Sequence, residues 1–302
     1  MYSAEQTRKN LLQQNIAVEA NIPLSEYVTF RVGGPCDLLV KPNSITELQT
    51  AVAEARSANM PFYILGNGSN LLVSDDGFRG MVILTMGLNK IELFHSDTII
   101  CQAGISLSHL CSFAYKHSLG GLEFAFGIPG SVGGAIYMNA GAYGGEIKDV
   151  IDSVEFIDEQ GKLQSLQNAS LDFSYRHSFF SDTNNIILCG TFRLKKAVKT
   201  EIRGKMDDYL ARRKSKQPLE LPSAGSTFKR PEGNYASALI EQCGLKGYTV
   251  GGAQVSEKHS GFIVNRGNAT CADICELIAY VKQKVYDKTG YRLCCEVKKL
   301  GF

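Results

Sequence analysis

Tryptophan is absent from this chain of 302 residues, proline occurs only eight times, and no apolar run approaches the ~20 residues that a membrane-spanning helix needs. Charge of one sign is also scarce in excess: the formal net charge is +2. Without a concentrated basic surplus, neither nucleic acid nor a membrane surface is the expected partner. Metal-ligand spacing is missing too. Nine cysteines form no Cys-x-x-Cys pair, none has a histidine beside it at ligand spacing, and Cys294 and Cys295 are adjacent, which disfavours a relaxed disulfide between them. Free thiols in a reducing compartment follow, with no metal site. The stretch Met1–Gln6 lacks the basic-then-apolar order of a signal peptide, so the cytoplasm is the expected location. No glycine loop ends in the Gly-Lys-Ser/Thr of a phosphate-binding P-loop, which removes the main sign of ATP hydrolysis.

What the chain does contain is an ordinary globular balance, 44% hydrophobic and 21% charged, in a length that suggests two or three lobes. A strand over 36–41, a helix over 46–58 with Leu48, Val52 and Ala55 inward, and a strand Phe62-Tyr63-Ile64-Leu65 make an opening lobe, 1–75. A middle lobe, 76–197, reads as short strands at 81–85, 98–103, 154–158 and 186–194, with one helix at 106–117 and a glycine-rich stretch at 120–145. A last lobe, 198–302, holds helices at 201–214, 236–243 and 271–288, with Thr270 as N-cap and Gly290 as stop of the third. A closing strand spans 291–300 and is a candidate to return to the first lobe. Helices and strands mix without strict alternation, so the class is α+β. The basic run Arg212-Arg213-Lys214-Ser215-Lys216 reads as a solvated helix end.

Two glycine clusters carry the first functional signal. Leu65-Gly66-Asn67-Gly68-Ser69-Asn70 follows a strand, where glycines let backbone N–H groups turn outward as an anion-binding nest. Gly127-Ile128-Pro129-Gly130-Ser131-Val132-Gly133-Gly134-Ala135 is the second, continued by Asn139-Ala140-Gly141-Ala142-Tyr143-Gly144. Two such loops on separate lobes would enclose a diphosphate and its flanking rings. The Rossmann fingerprint is incomplete, because the first cluster has no third glycine. Three further residues stand on separate segments. Arg176 offers a planar cation suited to a carboxylate, Ser226 follows a glycine in Ser223-Ala224-Gly225-Ser226-Thr227-Phe228, and Glu296 shares a strand face with Arg292 and Cys294.

The order of these segments, together with Thr29-Phe30-Arg31-Val32-Gly33-Gly34, resembles the bacterial UDP-N-acetylenolpyruvoylglucosamine reductases over nearly the whole chain. The resemblance implies the two-lobe FAD cradle of the vanillyl-alcohol-oxidase-like (PCMH-type) fold, plus a C-terminal α+β substrate domain. It implies FAD held by Leu65, Gly66, Asn67, Gly68, Ser69, Asn70, Gly127, Ile128, Pro129, Ser131, Gly133, Gly134, Ala135, Asn139 and Gly141. It also implies NADPH as hydride donor, a UDP-sugar bearing an enolpyruvyl group as substrate, Arg176 and Glu296 acting on the substrate carboxylate, and Ser226 as proton donor. Lys229 and Arg230 are the implied diphosphate contacts, although many relatives have Asn where Arg230 stands. The tyrosine-bearing capping insertion of one subgroup is missing. Flavin-linked sugar and alcohol oxidases share the cradle, and many attach FAD through a loop histidine. None of the five histidines here lies in that loop, so FAD is expected to be noncovalent. A non-catalytic nucleotide-binding module is the other alternative, and Arg176, Ser226 and Glu296 together speak against it.

Overall fold

The computed structural model describes residues 2–302. Seven helices are present among them: α1 (Ala4–Gln13), α2 (Ile45–Ser57), α3 (Leu107–Lys116), α4 (Val132–Tyr137), α5 (Lys199–Lys216), α6 (Ala236–Gln242) and α7 (Cys271–Thr289). Strands are short and irregularly interspersed, giving the expected α+β class. The chain forms two compact units that interleave along the sequence rather than following contiguous stretches. One takes the chain up to Ala20, Leu38–Asn67 and Gly80–Arg213, and the other Asn21–Asp37, Gly68–Arg79 and Lys214–Phe302.

The first unit is built on a five-stranded antiparallel sheet in the order Leu163–Gln167, Ile151–Ile157, Ile186–Arg193, Thr98–Gln102, Ile91–His95. Its central strand is apolar almost throughout because both faces are covered. Ile187 and Phe192 join the core with Leu107, Leu110, Val132 and Ile136 from α3 and α4. Ile186 and Leu188 join a second core with Leu11 of α1 and Leu48 and Val52 of α2. A fully buried strand therefore shows no two-residue alternation. In the same unit Phe62–Leu65 pairs in parallel with the segment from Met81 to Leu84, which aims the first glycine cluster out of the end of a strand.

In the second unit, a three-stranded antiparallel sheet (Thr249–Val250, Ala253–Val255, Ile263–Asn265) packs with α6 and α7 around Leu239, Ile240, Val255, Ile274, Leu277 and Val281. The closing strand is much shorter than the expected 291–300. Only Lys298–Leu300 is a strand, paired in parallel with Leu71–Val73, and an isolated bridge joins Cys295 to Phe228. The alternation that suggested a long strand is nonetheless real, since Leu293 and Val297 are buried while Arg292 and Cys294 are exposed. The segment is extended but largely lacks ladder partners. Within the glycine-rich stretch the structure adds α4, a short helix the sequence reading did not include, started by Ser131.

Helix α7 shows how its ends are set. Thr270 Oγ1 accepts from Asp273 N, the Asp273 carboxylate accepts from Thr270 N, and Gly290 closes the helix at φ 74°. The next two amides, Cys271 N and Ala272 N, donate to the carboxylate oxygens of Asp75 at 2.8 and 3.0 Å. Asp75 thus completes the cap from a distant loop, where a carboxylate also favours the helix N-terminus. Replacing Asp75 with Ala is expected to lower unfolding free energy by about 1–2 kcal/mol in urea titrations. A variant within about 0.3 kcal/mol of wild type would show that water replaces the carboxylate without loss.

Candidate functional site

In the first unit the two glycine clusters meet. A side chain at Gly66 would run into the hydroxyl of Ser131, so the backbone of one loop lies directly on the other. Asn67 Nδ2 reaches Pro129 O at 3.4 Å, while its Oδ1 is buried and has no hydrogen-bond partner. An orphaned buried acceptor is costly and uncommon, and it marks a position where a bound group would donate. In the second cluster the amides at the start of α4 turn inward. Val132 N donates to Ile105 O, Gly133 N to Ala103 O, Gly134 N to Ser131 Oγ, and Ala135 N to Ser131 O. These amides are consumed in seating α4. The second cluster contributes close approach, and the first contributes the unsatisfied polar atom.

Asn139 proves to be a framework residue. It is fully buried, and its Nδ2 donates to Glu146 Oε2 (2.9 Å) and Ser174 O (3.0 Å), while its Oδ1 accepts from Lys148 N (3.0 Å). The bond to Ser174 fixes a tight turn, because Ser174 and His177 form an antiparallel bridge with Tyr175 and Arg176 at the tip. Arg176 has φ 57°, a left-handed conformation unusual for a non-glycine residue, and its Nη2 donates to Gly141 O at 3.4 Å. Such strain persists where surroundings enforce it, as at functional sites. His177 helps to do so. Its ring bonds Asp182 Oδ2 (2.8 Å) and Asp172 O (3.1 Å), and the hydrogen bond to Asp182 raises its pKa above the ordinary histidine value.

The second unit gathers the other expected residues. Gly68 adopts φ 60° against the carbonyl of Tyr27, where a Cβ would collide, and Thr29 N donates to Gly68 O at 3.1 Å. Asn70 bridges to the chain end: its Nδ2 donates to Glu296 O (3.3 Å), and its own carbonyl accepts from Lys298 N (3.0 Å). Glu296 N donates to Thr227 O (2.8 Å), and Lys229 N donates to Cys294 O (2.8 Å). The segment after Gly225 and the segment of Glu296 therefore lie side by side. Thr227 and Phe228 are buried beneath, which turns Ser226 outward to solvent, and Glu296 is half-buried. Lys229 is half-buried, and the exposed Arg230 lies over the Tyr235 ring at 4.4 Å. Ser69, Asn70, Ser226 and Glu296 thus belong to one framework, and Gly66, Asn67, Asn139, Gly141 and Arg176 to the other. No group of three or more His, Cys, Asp or Glu residues suited to a metal ion occurs among the described residues.

Sequence reasoning passed over a stacked pair in the first unit. The rings of Tyr143 and Tyr209 lie 4.5 Å apart at 5°, and Tyr143 OH donates to Tyr209 O at 3.1 Å. The only available signal was the glycine after Tyr143, which permits the hairpin tip that presents the ring.

Comparison with known proteins agrees with this geometry. Residues 36–167 match an FAD-binding domain, and residues 217–300 match the C-terminal domain of UDP-N-acetylenolpyruvoylglucosamine reductase. The chain is 48% identical to the reductase of that name from Latilactobacillus sakei over 288 residues, 95% of each chain. It is 50% identical to the one from Clostridium botulinum (strain Hall) over 279 residues, 92% of this chain and 91% of the relative. The crystal structure of the Thermus caldophilus reductase superposes with a TM-score of 0.82 at 36% identity, covering 94% of this chain and 99% of that one. An alkyldihydroxyacetonephosphate synthase, 17% identical with a TM-score of 0.50 over 64% of this chain and 40% of its own, shares the fold alone. With whole-length identity near one half and both halves of the chain matched, the protein belongs to the UDP-N-acetylenolpyruvoylglucosamine reductases, the FAD-dependent oxidoreductases of peptidoglycan precursor synthesis.

Proposed function

We propose that the enzyme uses NADPH to reduce the enolpyruvyl group of UDP-N-acetylglucosamine enolpyruvate, with Arg176 and Glu296 acting on the substrate carboxylate and Ser226 supplying the proton. The observation that carries the reading is the side-by-side placement of the Ser226 and Glu296 segments, with the serine hydroxyl turned outward. FAD, when bound, supplies the two-electron chemistry, and the residues present suit it: an unpartnered buried Asn67 oxygen and a backbone approach that only glycine at position 66 permits. The absence of a histidine between Gly66 and Asn70 supports noncovalent attachment. The stretch 198–302 is taken as the substrate domain, with Lys229 and Arg230 toward the diphosphate. Nine free cysteines, and no helix among the described residues long and apolar enough to cross a membrane, support a cytoplasmic setting.

The residue chemistry follows from where charge develops. Hydride arriving at the terminal enolpyruvyl carbon leaves negative charge on its neighbour, and that charge spreads into the carboxylate. A guanidinium held in a fixed, left-handed turn is a preorganised partner for it, worth several kcal/mol where water is excluded. Glu296 can help a carboxylate only if it carries a proton and donates it in a hydrogen bond, because two carboxylates side by side repel. A serine hydroxyl is a weak acid in water, yet the charged carbon is basic enough to take its proton when the geometry holds it there.

Three outcomes test these roles. Ser226→Ala is expected to leave the NADPH half-reaction close to wild type and to slow the substrate half-reaction by about 10²–10⁴-fold in stopped-flow absorbance traces. Equal slowing of both halves would remove Ser226 from proton donation. Glu296→Gln keeps a neutral hydrogen-bond donor and is expected to lose clearly less than Glu296→Ala. Combined with Arg176→Ala, the alanine change should cost less than the sum of the two single losses, since both act on one transition state. Gln no better than Ala, or strict additivity, would count against the shared carboxylate.

A further inference from the structure

Helix α5 ends in the densest basic run of the chain, and the structure separates its members. Arg212 is tied to Asp208, with Nη2 to Oδ2 at 2.9 Å, and earlier in the helix Arg203 is tied to Asp207 at 2.8 Å. Both are exposed i,i+4 pairs of the kind that contribute little. Arg213 is different, and the reading of a solvated helix end does not hold for it. Its side chain is half-buried, and among the described residues no carboxylate pairs with it. Burial lowers its pKa from the ordinary arginine value, and the opposing influence comes from Tyr143 rather than from an acid.

Its surroundings are specific. A Cβ built on Gly127 would come within 3.0 Å of Arg213 Cδ and 3.9 Å of its Nε, so the end of the arginine stem packs against the second glycine cluster. One helical turn earlier on α5, Tyr209 carries the stack on Tyr143. The stem of Arg213 thus packs on a bare glycine loop, one turn from an aromatic pair, and its half-buried guanidinium has no carboxylate partner among the described residues. Keeping a desolvated cation unpaired is expensive, which makes the position informative. A planar fork with several donors matches the geometry of phosphate oxygens better than any other common anion except carboxylate.

We propose that Arg213 is an anion-binding residue that takes a phosphate group of a nucleotide against the Gly127 loop. The inference rests on the reductase reading, in which FAD, the UDP-sugar and NADPH all carry a diphosphate. Arg213 then deepens that site by adding a cation which the glycine loops themselves lack.

The test uses the full-length protein and three probes. FAD affinity is read by flavin fluorescence on the flavin-free chain, and UDP and NADP⁺ affinities by titration calorimetry on the flavin-loaded enzyme. Arg213→Ala should raise the Kd of at least one probe by roughly 10–100-fold while leaving at least one within about threefold of wild type, and the affected probe names the occupant. Arg213→Lys should fall in between, because it keeps the charge and loses the fork. Gly127→Ala, whose methyl would crowd Arg213 Cδ, should weaken the same probe. Three unchanged affinities overturn the proposal. So does an equal loss of all three with a lowered Tm, which would make Arg213 a packing residue. A wild-type protein that binds neither FAD nor UDP would instead bring down the reductase reading itself.

Discussion

Two loops far apart in sequence are pressed together at Gly66 and Ser131, and the proposed cofactor site depends on that contact. Any side chain at Gly66 would occupy the space of the Ser131 hydroxyl, and that hydroxyl is already committed to the amide of Gly134. The contact therefore links the end of the strand Phe62–Leu65 to the start of α4 with almost no slack. One result is that Asn67 is held with an amide oxygen buried and unsatisfied. A folded chain retains such a cost where a ligand offsets it, and a dinucleotide rich in donors is a suitable one.

The residues proposed for the reaction are placed by the same economy of backbone bonds. Asn139 spends its whole amide on the framework, and in doing so fixes the turn that strains Arg176 into position. In the other unit Asn70 plays the matching part, with its side chain on the carbonyl of Glu296 and its carbonyl on Lys298. Asn139 and Asn70 thus clamp backbone segments together. Rigid supports of this kind keep reacting groups within the tight tolerances that catalysis requires.

How legible this was depended on whether the determining interactions are local. The ends of α7 could be read from Thr270 and Gly290 because caps act over three or four residues. The inward face of α2 followed from apolar spacing alone. The glycine loops and the order of Arg176, Ser226 and Glu296 were legible through resemblance. The length of the closing strand was not, because alternation at 292–297 records which side faces the core and says nothing about hydrogen-bond partners. Helix α4 was hidden by its own glycines, since Ser131 and packing against the central strand stabilise it where propensity does not. Arg213 was misread for a similar reason: a charge run looks solvated until a distant Gly127 makes room for one of its members.

The claim that the first glycine loop is shaped around the cofactor can be tested at Asn67. Removing an unsatisfied buried oxygen should cost the empty protein little, whereas removing a ligand should cost it affinity. For Asn67→Ala, the flavin-free chain should unfold within about 1 kcal/mol of wild type, and the FAD dissociation constant from flavin fluorescence should rise about tenfold. An unchanged dissociation constant, or a stability loss as large as the loss in binding, would show that Asn67 serves the loop and not the flavin.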